Sequence, residues 1–225
     1  MTSKLDYTLS ALEHEMFRWM EDELRRADYR FLSVHSLVNP TTLRRQGMAE
    51  EHIQYVSGLP EPRALAGSAE QGILEHFADQ TLSQPVSLYA YNQCFRREYE
   101  HVPYLRLSEF RKMEQFVFTT ESNWLMAFEQ TLDHVVRFLH HYGIEYRVDE
   151  CTSRDPGYHQ HKIDVEINTP LYGWVESHSL TYFGSAQCER LGIVNEAGAP
   201  WHSISATGIA SPRILLPFIF HPPEL

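Results

Sequence analysis

Apolar positions recur at helical spacing in two clear stretches. Leu12, Phe17, Met20 and Leu24 fall on one face of a segment that Ser10 is placed to cap, with acidic residues in its first turn. The second stretch carries Trp124, Leu125, Phe128, Leu132, Val135, Val136 and Leu139 on one side, with Ser122 as its cap and Gly143 as its stop. Residues 69–80 read as a further helix. β-Forming side chains concentrate at residues 31–38, which end at the turn signal Asn39-Pro40, and again at residues 86–95 and 110–120. Residues 162–167 and 173–180 read as a strand pair around residues 168–172. Residues 41–63 read as short helix and loop, and residues 96–109 as a charged, hairpin-like connection. From Ile204 the pattern is a small-residue turn followed by a buried helix or strand. No internal repeat, low-complexity tract or Gly/Ser linker interrupts the chain. Strands joined by hairpins and flanked by long helices predict one α+β domain over residues 1–225, with helices around a mainly antiparallel sheet.

Composition fits that picture. The chain has 225 residues, 43% of them hydrophobic and 22% charged, enough to build a core and too apolar for wholesale disorder. Nineteen Lys and Arg stand against 30 Asp and Glu, a net charge of -11. That balance argues against strong nucleic-acid binding, which draws its affinity from phosphate neutralisation by Lys and Arg. Cys94, Cys151 and Cys188 are scattered and odd in number, so no disulfide framework is legible and a reducing compartment is expected. The longest apolar stretch, residues 214–220, is broken by Pro217 and far shorter than the ~20 residues a membrane helix needs. With no secretory pattern at the N-terminus, a soluble cytoplasmic protein is expected.

Three segments place charge inside strand-like contexts. In residues 94–98, Arg96 and Glu98 are two apart, which on a strand turns them to one face. A fixed guanidinium suits a phosphate and a neighbouring carboxylate suits an amino group. A salt-bridge ladder on an edge strand would give the same pattern. In residues 105–116, Phe110, Lys112 and Glu114 share a face on which an aromatic ring could stack a base and an acid could hold an ammonium group. An exposed charged face is the alternative. In residues 205–213, small side chains lead into Arg213 and leave room for a ligand to approach the backbone.

Taken in order, these segments resemble the catalytic domain of class II aminoacyl-tRNA synthetases, and the seryl branch most closely. Phe95-Arg96-Arg97-Glu98 with Arg106 and Phe110 resembles motif 2 of that family, and residues 208–213 resemble motif 3. Residues 65–70 resemble its amino-acid-binding loop. Asp164-Val165-Glu166, residues 174–179, Gly184 and Gln187 follow the seryl pattern. The resemblance implies an ATP-dependent ligase that forms an aminoacyl adenylate. It implies that Arg96 holds the α-phosphate and the substrate carboxylate, that Glu98 accepts from the adenine amino group, and that Phe110 and Arg213 cover the two faces of the base. Arg106 belongs to the same ATP-binding set. Glu176 and Ser179 would hold Mg²⁺, an ion that takes oxygen ligands. Glu70 and Glu114 would meet the amino acid.

Departures from the family pattern shape the remaining expectations. The Pro of motif 1, at the family's dimer interface, is replaced in residues 32–40 by Val34 or His35, yet a homodimer remains the expectation. No tRNA-gripping helical arm or anticodon-binding domain is legible. Stand-alone relatives pass an activated amino acid to the phosphopantetheine thiol of a carrier protein, so a carrier protein or a small molecule is the expected acceptor. A non-catalytic regulatory paralogue and a minimal tRNA synthetase are the alternatives. Some relatives hold zinc through Cys, Glu and Cys. Cys94 and Glu114 match the first two positions, but the third falls near Ser205, a poor zinc ligand, so zinc is not favoured. His140 and His141, adjacent on a helix, cannot face one ion together, whereas His159 and His161 could.

Overall fold

The computed structural model describes residues 5–98, 100–150 and 159–220; Cys151 lies outside them. In chain order the elements are α1 (Tyr7–Arg26), β1 (Arg30–Phe31), β2 (Leu37–Val38), α2 (Pro40–Gln46), a 3-10 turn (Glu50–His52), β3 (Tyr55–Val56) and β4 (Arg63–Leu65). There follow α3 (Ala69–Phe77), β5 (Val86–Phe95), β6 (Glu109–Thr119), α4 (Trp124–His141), β7 (Tyr146–Glu150), β8 (His161–Thr169), β9 (Gly173–Gly184), α5 (Ala186–Leu191), β10 (His202–Ser211) and a closing 3-10 segment (Arg213–Phe218).

The large sheet has the strand order β1-β5-β6-β10-β9-β8-β7, and a small sheet has the order β2-β4-β3. Every pairing is antiparallel except the short edge contact of β1 with β5. The α+β expectation therefore holds, and it does so because side chains alternate cleanly across the long central strands. On β6, Met113 and Val117 pack towards α1 and α4 in the larger core cluster. Phe116 and Phe118 pack the other way, against Ile73 and Leu74 of α3 and Leu191 of α5. Phe110, Lys112 and Glu114 continue that second face beyond the apolar cluster. One face of one strand thus runs from core to polar cleft.

Several local expectations are corrected. The first helix starts at Asp6, whose carboxylate accepts from the Leu9 amide, so Ser10 lies within the helix; no acid occupies the first turn. Asn123 stands at the start of α4 without a side-chain cap, and Ser122 instead shares a hydrogen bond with Thr120. Residues 31–38 are not one strand. The Leu32 amide still bonds to Tyr89 in the large sheet, but Leu37 already pairs with Leu65 in the small one. Between them the chain crosses α3 where Gly72 leaves room, since a Cβ there would stand 2.7 Å from Val34. The small residues from Ile204 form no turn; they lie in β10, at the centre of the large sheet. The chemistry-bearing positions of that segment therefore sit on a strand held on both sides.

Candidate active site

β5 and β6 form a long hairpin whose connection carries Arg96 and Glu98. Both residues lie just past the end of β5, so their common orientation comes from the loop and not from strand alternation. A cavity of about 330 Å³ opens where this loop meets β6, β9 and the end of β10. Its walls include Arg96, Glu98, Phe110, Lys112, Glu176, Ser179 and Arg213. Residues far apart in sequence are thereby brought to one polar cleft.

The Arg96 guanidinium lies over the Phe110 ring, with Cζ 5.1 Å from the centroid, and its Nε donates to the Gly67 carbonyl at 3.1 Å. Two contacts hold a long side chain that would otherwise be free in solvent. Arg213 spans the cleft wall, donating to the carbonyls of Glu176 at 2.9 Å and Leu105 at 3.1 Å. Burial lowers its affinity for the proton from the ordinary guanidinium value, against the neighbouring Glu176. Arg106 is exposed on the hairpin connection and stands outside the cavity wall, close enough for its charge to act on Arg213. It is a rim residue.

Glu176 and Ser179 are three apart, which on a regular strand sends them to opposite faces. A β-bulge resolves this. Val165 pairs with His178 and Glu166 with Glu176, so Ser177 is an extra residue in β9. Glu176, Ser177 and Ser179 all reach the cavity. A second bulge in β10, between Thr207 and Ile209, adds Thr207, Ala210 and Ser211 to the same cavity.

Beside the cleft lies a buried acidic subsite. Glu114 is 2% exposed; one of its oxygens is bound by Lys112 at 2.5 Å and by the Ser68 hydroxyl, while Oε2 has no hydrogen-bond partner. Glu70 differs. Its Oε1 accepts from Gln46 at 2.6 Å and Gln187 at 2.8 Å, and its Oε2 from Ser205 at 2.8 Å. Desolvation and the adjacent Glu114 push the Glu70 carboxyl above its ordinary range. Two carboxyl groups therefore share one lysine, a site short of positive charge.

Lys162 and Thr207 also line the cavity and were not among the residues expected from sequence. Lys162 lies 3.6 Å from Asp164. The alternation of Lys162, Asp164 and Glu166 with Ile163, Val165 and Ile167 on β8 was the available signal.

The Cys94 thiol is buried and donates to Asn92 Oδ1 at 3.1 Å. Ser205 is committed to Glu70. Among the described residues no three His, Cys, Asp or Glu side chains are grouped to hold a metal. His140 bonds to the Tyr146 hydroxyl, His141 stacks on Trp19, and His161 packs against Trp124 and Phe128. Glu176 and Ser179 suit Mg²⁺ better, because that ion is commonly held by one or two oxygen ligands together with substrate phosphates.

Residues 60–215 match the tRNA synthetase class II core domain (G, H, P, S and T). The chain belongs to this family. A serine–tRNA ligase of Deinococcus radiodurans is 31% identical over 227 residues, covering 92% of this chain and 53% of the relative. One from Halorubrum lacusprofundi is 27% identical, covering 91% and 52%. The chain spans about half the length of the curated relatives it matches. The fold agrees: the cytoplasmic serine–tRNA ligase of Naegleria fowleri in complex with AMP superposes with a TM-score of 0.86 at 21% identity, over 95% of this chain and 54% of that one. The seryl-tRNA synthetase of Pyrococcus horikoshii complexed with ATP gives the same score at 20% identity, covering 95% and 52%. The class II synthetase core thus has its large antiparallel sheet here, with the cleft at one end of it.

No helix among the described residues is long and apolar enough to cross a membrane.

Proposed function

We propose that this protein activates an amino acid with ATP to an aminoacyl adenylate and transfers the aminoacyl group to an acceptor other than tRNA. The observation that supports this most is the convergence of Arg96, Glu98, Phe110, Glu176 and Arg213 on one cavity beside the carboxylate of Glu114. In the first step a substrate carboxylate oxygen attacks the α-phosphorus. The new oxygen–phosphorus bond forms as the bond to pyrophosphate breaks, and pyrophosphate leaves with the electron pair. No proton has to be removed from the carboxylate, so the site needs alignment and charge neutralisation more than a general base. Arg96 meets the α-phosphate and the attacking carboxylate, where its contacts to Phe110 and Gly67 limit the freedom it loses on binding. Phe110 and Arg213 sandwich the adenine, and Glu98 accepts from its amino group. Arg106 and Lys162 answer the phosphate charge from the rim and from β8.

The free oxygen of Glu114 receives the substrate ammonium group, which supplies the positive charge the Glu70–Glu114–Lys112 cluster lacks. Glu70, already engaged by three donors, holds α2, α5 and β10 around that subsite and acts on the amino acid through its charge. Glu176 and Ser179 would hold Mg²⁺, which would supply further neutralisation of the phosphates. In the second step a thiol, amine or hydroxyl of the acceptor attacks the adenylate carbonyl; its bond to carbon forms as the carbon–oxygen bond to AMP breaks, AMP leaves with the electron pair, and the acceptor's proton passes to solvent. A carrier-protein phosphopantetheine thiol or a small molecule fits a chain with a net charge of -11 better than a tRNA does. We further propose a cytoplasmic homodimer. Amino-acid-dependent exchange of labelled pyrophosphate into ATP, run across the common amino acids, tests the reading. Exchange with one of them is expected, and exchange with none would overturn adenylation.

A further inference from the structure

Two neighbouring strands of the cleft wall stop pairing part-way along their length. β9 and β10 pair from Ser203 and Gly184 as far as Ala206 and Leu180, and the ladder ends there. Beyond that point β9 continues against β8 and β10 against β6, each through its own bulge. The bulges at Ser177 and Gly208 face each other across the gap. They bear on which side chains reach the cavity: Glu176, Ser177 and Ser179 from one strand, and Thr207, Ala210 and Ser211 from the other.

One side chain joins the two bulges. His178 is 1% exposed and points to the face opposite the cleft, where Phe138 of α4 packs edge-on against it. Its Nε2 lies 3.2 Å from the Gly208 carbonyl in β10, and its Nδ1 lies 2.7 Å from the Ser177 hydroxyl in β9. A neutral ring satisfies both contacts in one tautomer only. The Gly208 carbonyl can only accept, so Nε2–H donates to it, and Nδ1 accepts from the Ser177 hydroxyl at 2.7 Å, shorter than that hydroxyl's alternative contact to the Val165 carbonyl at 3.2 Å.

We infer that His178 is a positioning residue, a strut beneath the cleft that replaces the missing ladder and sets the spacing of the Glu176–Ser179 wall from Thr207. This inference rests on the cleft taking ATP with Mg²⁺, and deepens that reading. His178 touches no substrate. It acts on nucleotide binding through Glu176 and Ser179, and leaves the amino-acid subsite on β6 unmoved.

The test compares His178→Asn with His178→Gln in the full chain. The Asn amide can still meet Ser177 but is too short for Gly208, whereas the Gln amide extends to the position of Nε2. Equilibrium dialysis with ATP over a Mg²⁺ titration should show about 10- to 100-fold weaker binding for Asn, the scale of a misplaced wall. The Mg²⁺ concentration at half-saturation should rise with it. The Gln variant should stay within about threefold of wild type, and the KM for the amino acid in pyrophosphate exchange should not move in either. Nitrogen NMR of the wild-type ring needs no variant and should show Nε2 protonated and Nδ1 bare. Unchanged ATP binding by a folded Asn variant, loss in Gln equal to that in Asn, or a proton on Nδ1 would each overturn the inference. Wild-type protein that binds no ATP would instead remove the adenylation reading on which it stands.

Discussion

Replacing Glu114 by Gln tests the acidic subsite with almost no change of shape. In the native chain one Glu114 oxygen is held by Lys112 at 2.5 Å and by Ser68, and the buried second oxygen has no partner. If that oxygen receives the substrate ammonium, Gln loses one charge-assisted hydrogen bond and presents a neutral group to it. Such bonds contribute about 1.5–3 kcal/mol, so the KM for the amino acid should rise by roughly 10- to 150-fold. The loss should be confined to the amino acid. Glu114 does not itself line the nucleotide cavity and reaches it only through its ion pair with Lys112, so the KM for ATP should change far less than that for the amino acid. Pyrophosphate exchange at saturating ATP with varied amino acid, and the reverse, separates the two constants. Circular dichroism confirms that the variant is folded. A Glu114→Gln chain whose amino-acid KM is unchanged, or whose ATP KM rises equally, would refute the assignment of this pocket.

Other outcomes are equally specific. Arg96→Ala should cut pyrophosphate exchange by about 10²–10³-fold in a folded protein, the cost of a lost preorganised donor; unchanged exchange would sink the phosphate role of Arg96. Acid should destabilise the fold through His178. Its folded proton affinity is lowered from 6.5 to about 3, so the unfolded chain binds the extra proton between those values. The stability contributed by the neutral ring is full above pH 6.5 and declines as pH falls through that window. Urea unfolding at several pH values should show His178→Gln losing up to about 1.4 kcal/mol less per pH unit than wild type. Labelled adenylate offered to total tRNA beside a phosphopantetheinylated carrier protein should acylate the carrier and leave tRNA uncharged. Efficient tRNA charging at physiological salt would restore a minimal synthetase.

The sequence alone determined the parts of this protein that depend on local alternation. The strand Val86–Phe95, the face carrying Phe110, Lys112 and Glu114, and the helix ending before Gly143 were legible because period and residue type agreed over many positions. The order of motif-like segments also pointed to the family from residues alone. Where polar and apolar positions shared a short stretch, only tertiary structure decided. Residues 31–38 serve two sheets because Gly72 admits the chain across α3. Residues 204–211 look like a turn by composition, yet β6 and β9 supply the hydrogen bonds that make them a strand. The joint placement of Glu176 and Ser179 was invisible to alternation, which sets them on opposite faces. The extra residue Ser177 turns them to one side, and a bulge is registered only by the partner strand it skips. His178 and Lys162 acquire their roles the same way, from Gly208 and from the cavity wall that distant segments complete. Periodicity reports what a segment prefers for itself; the contacts that give these residues work lie in other segments, and folding alone brings them into reach.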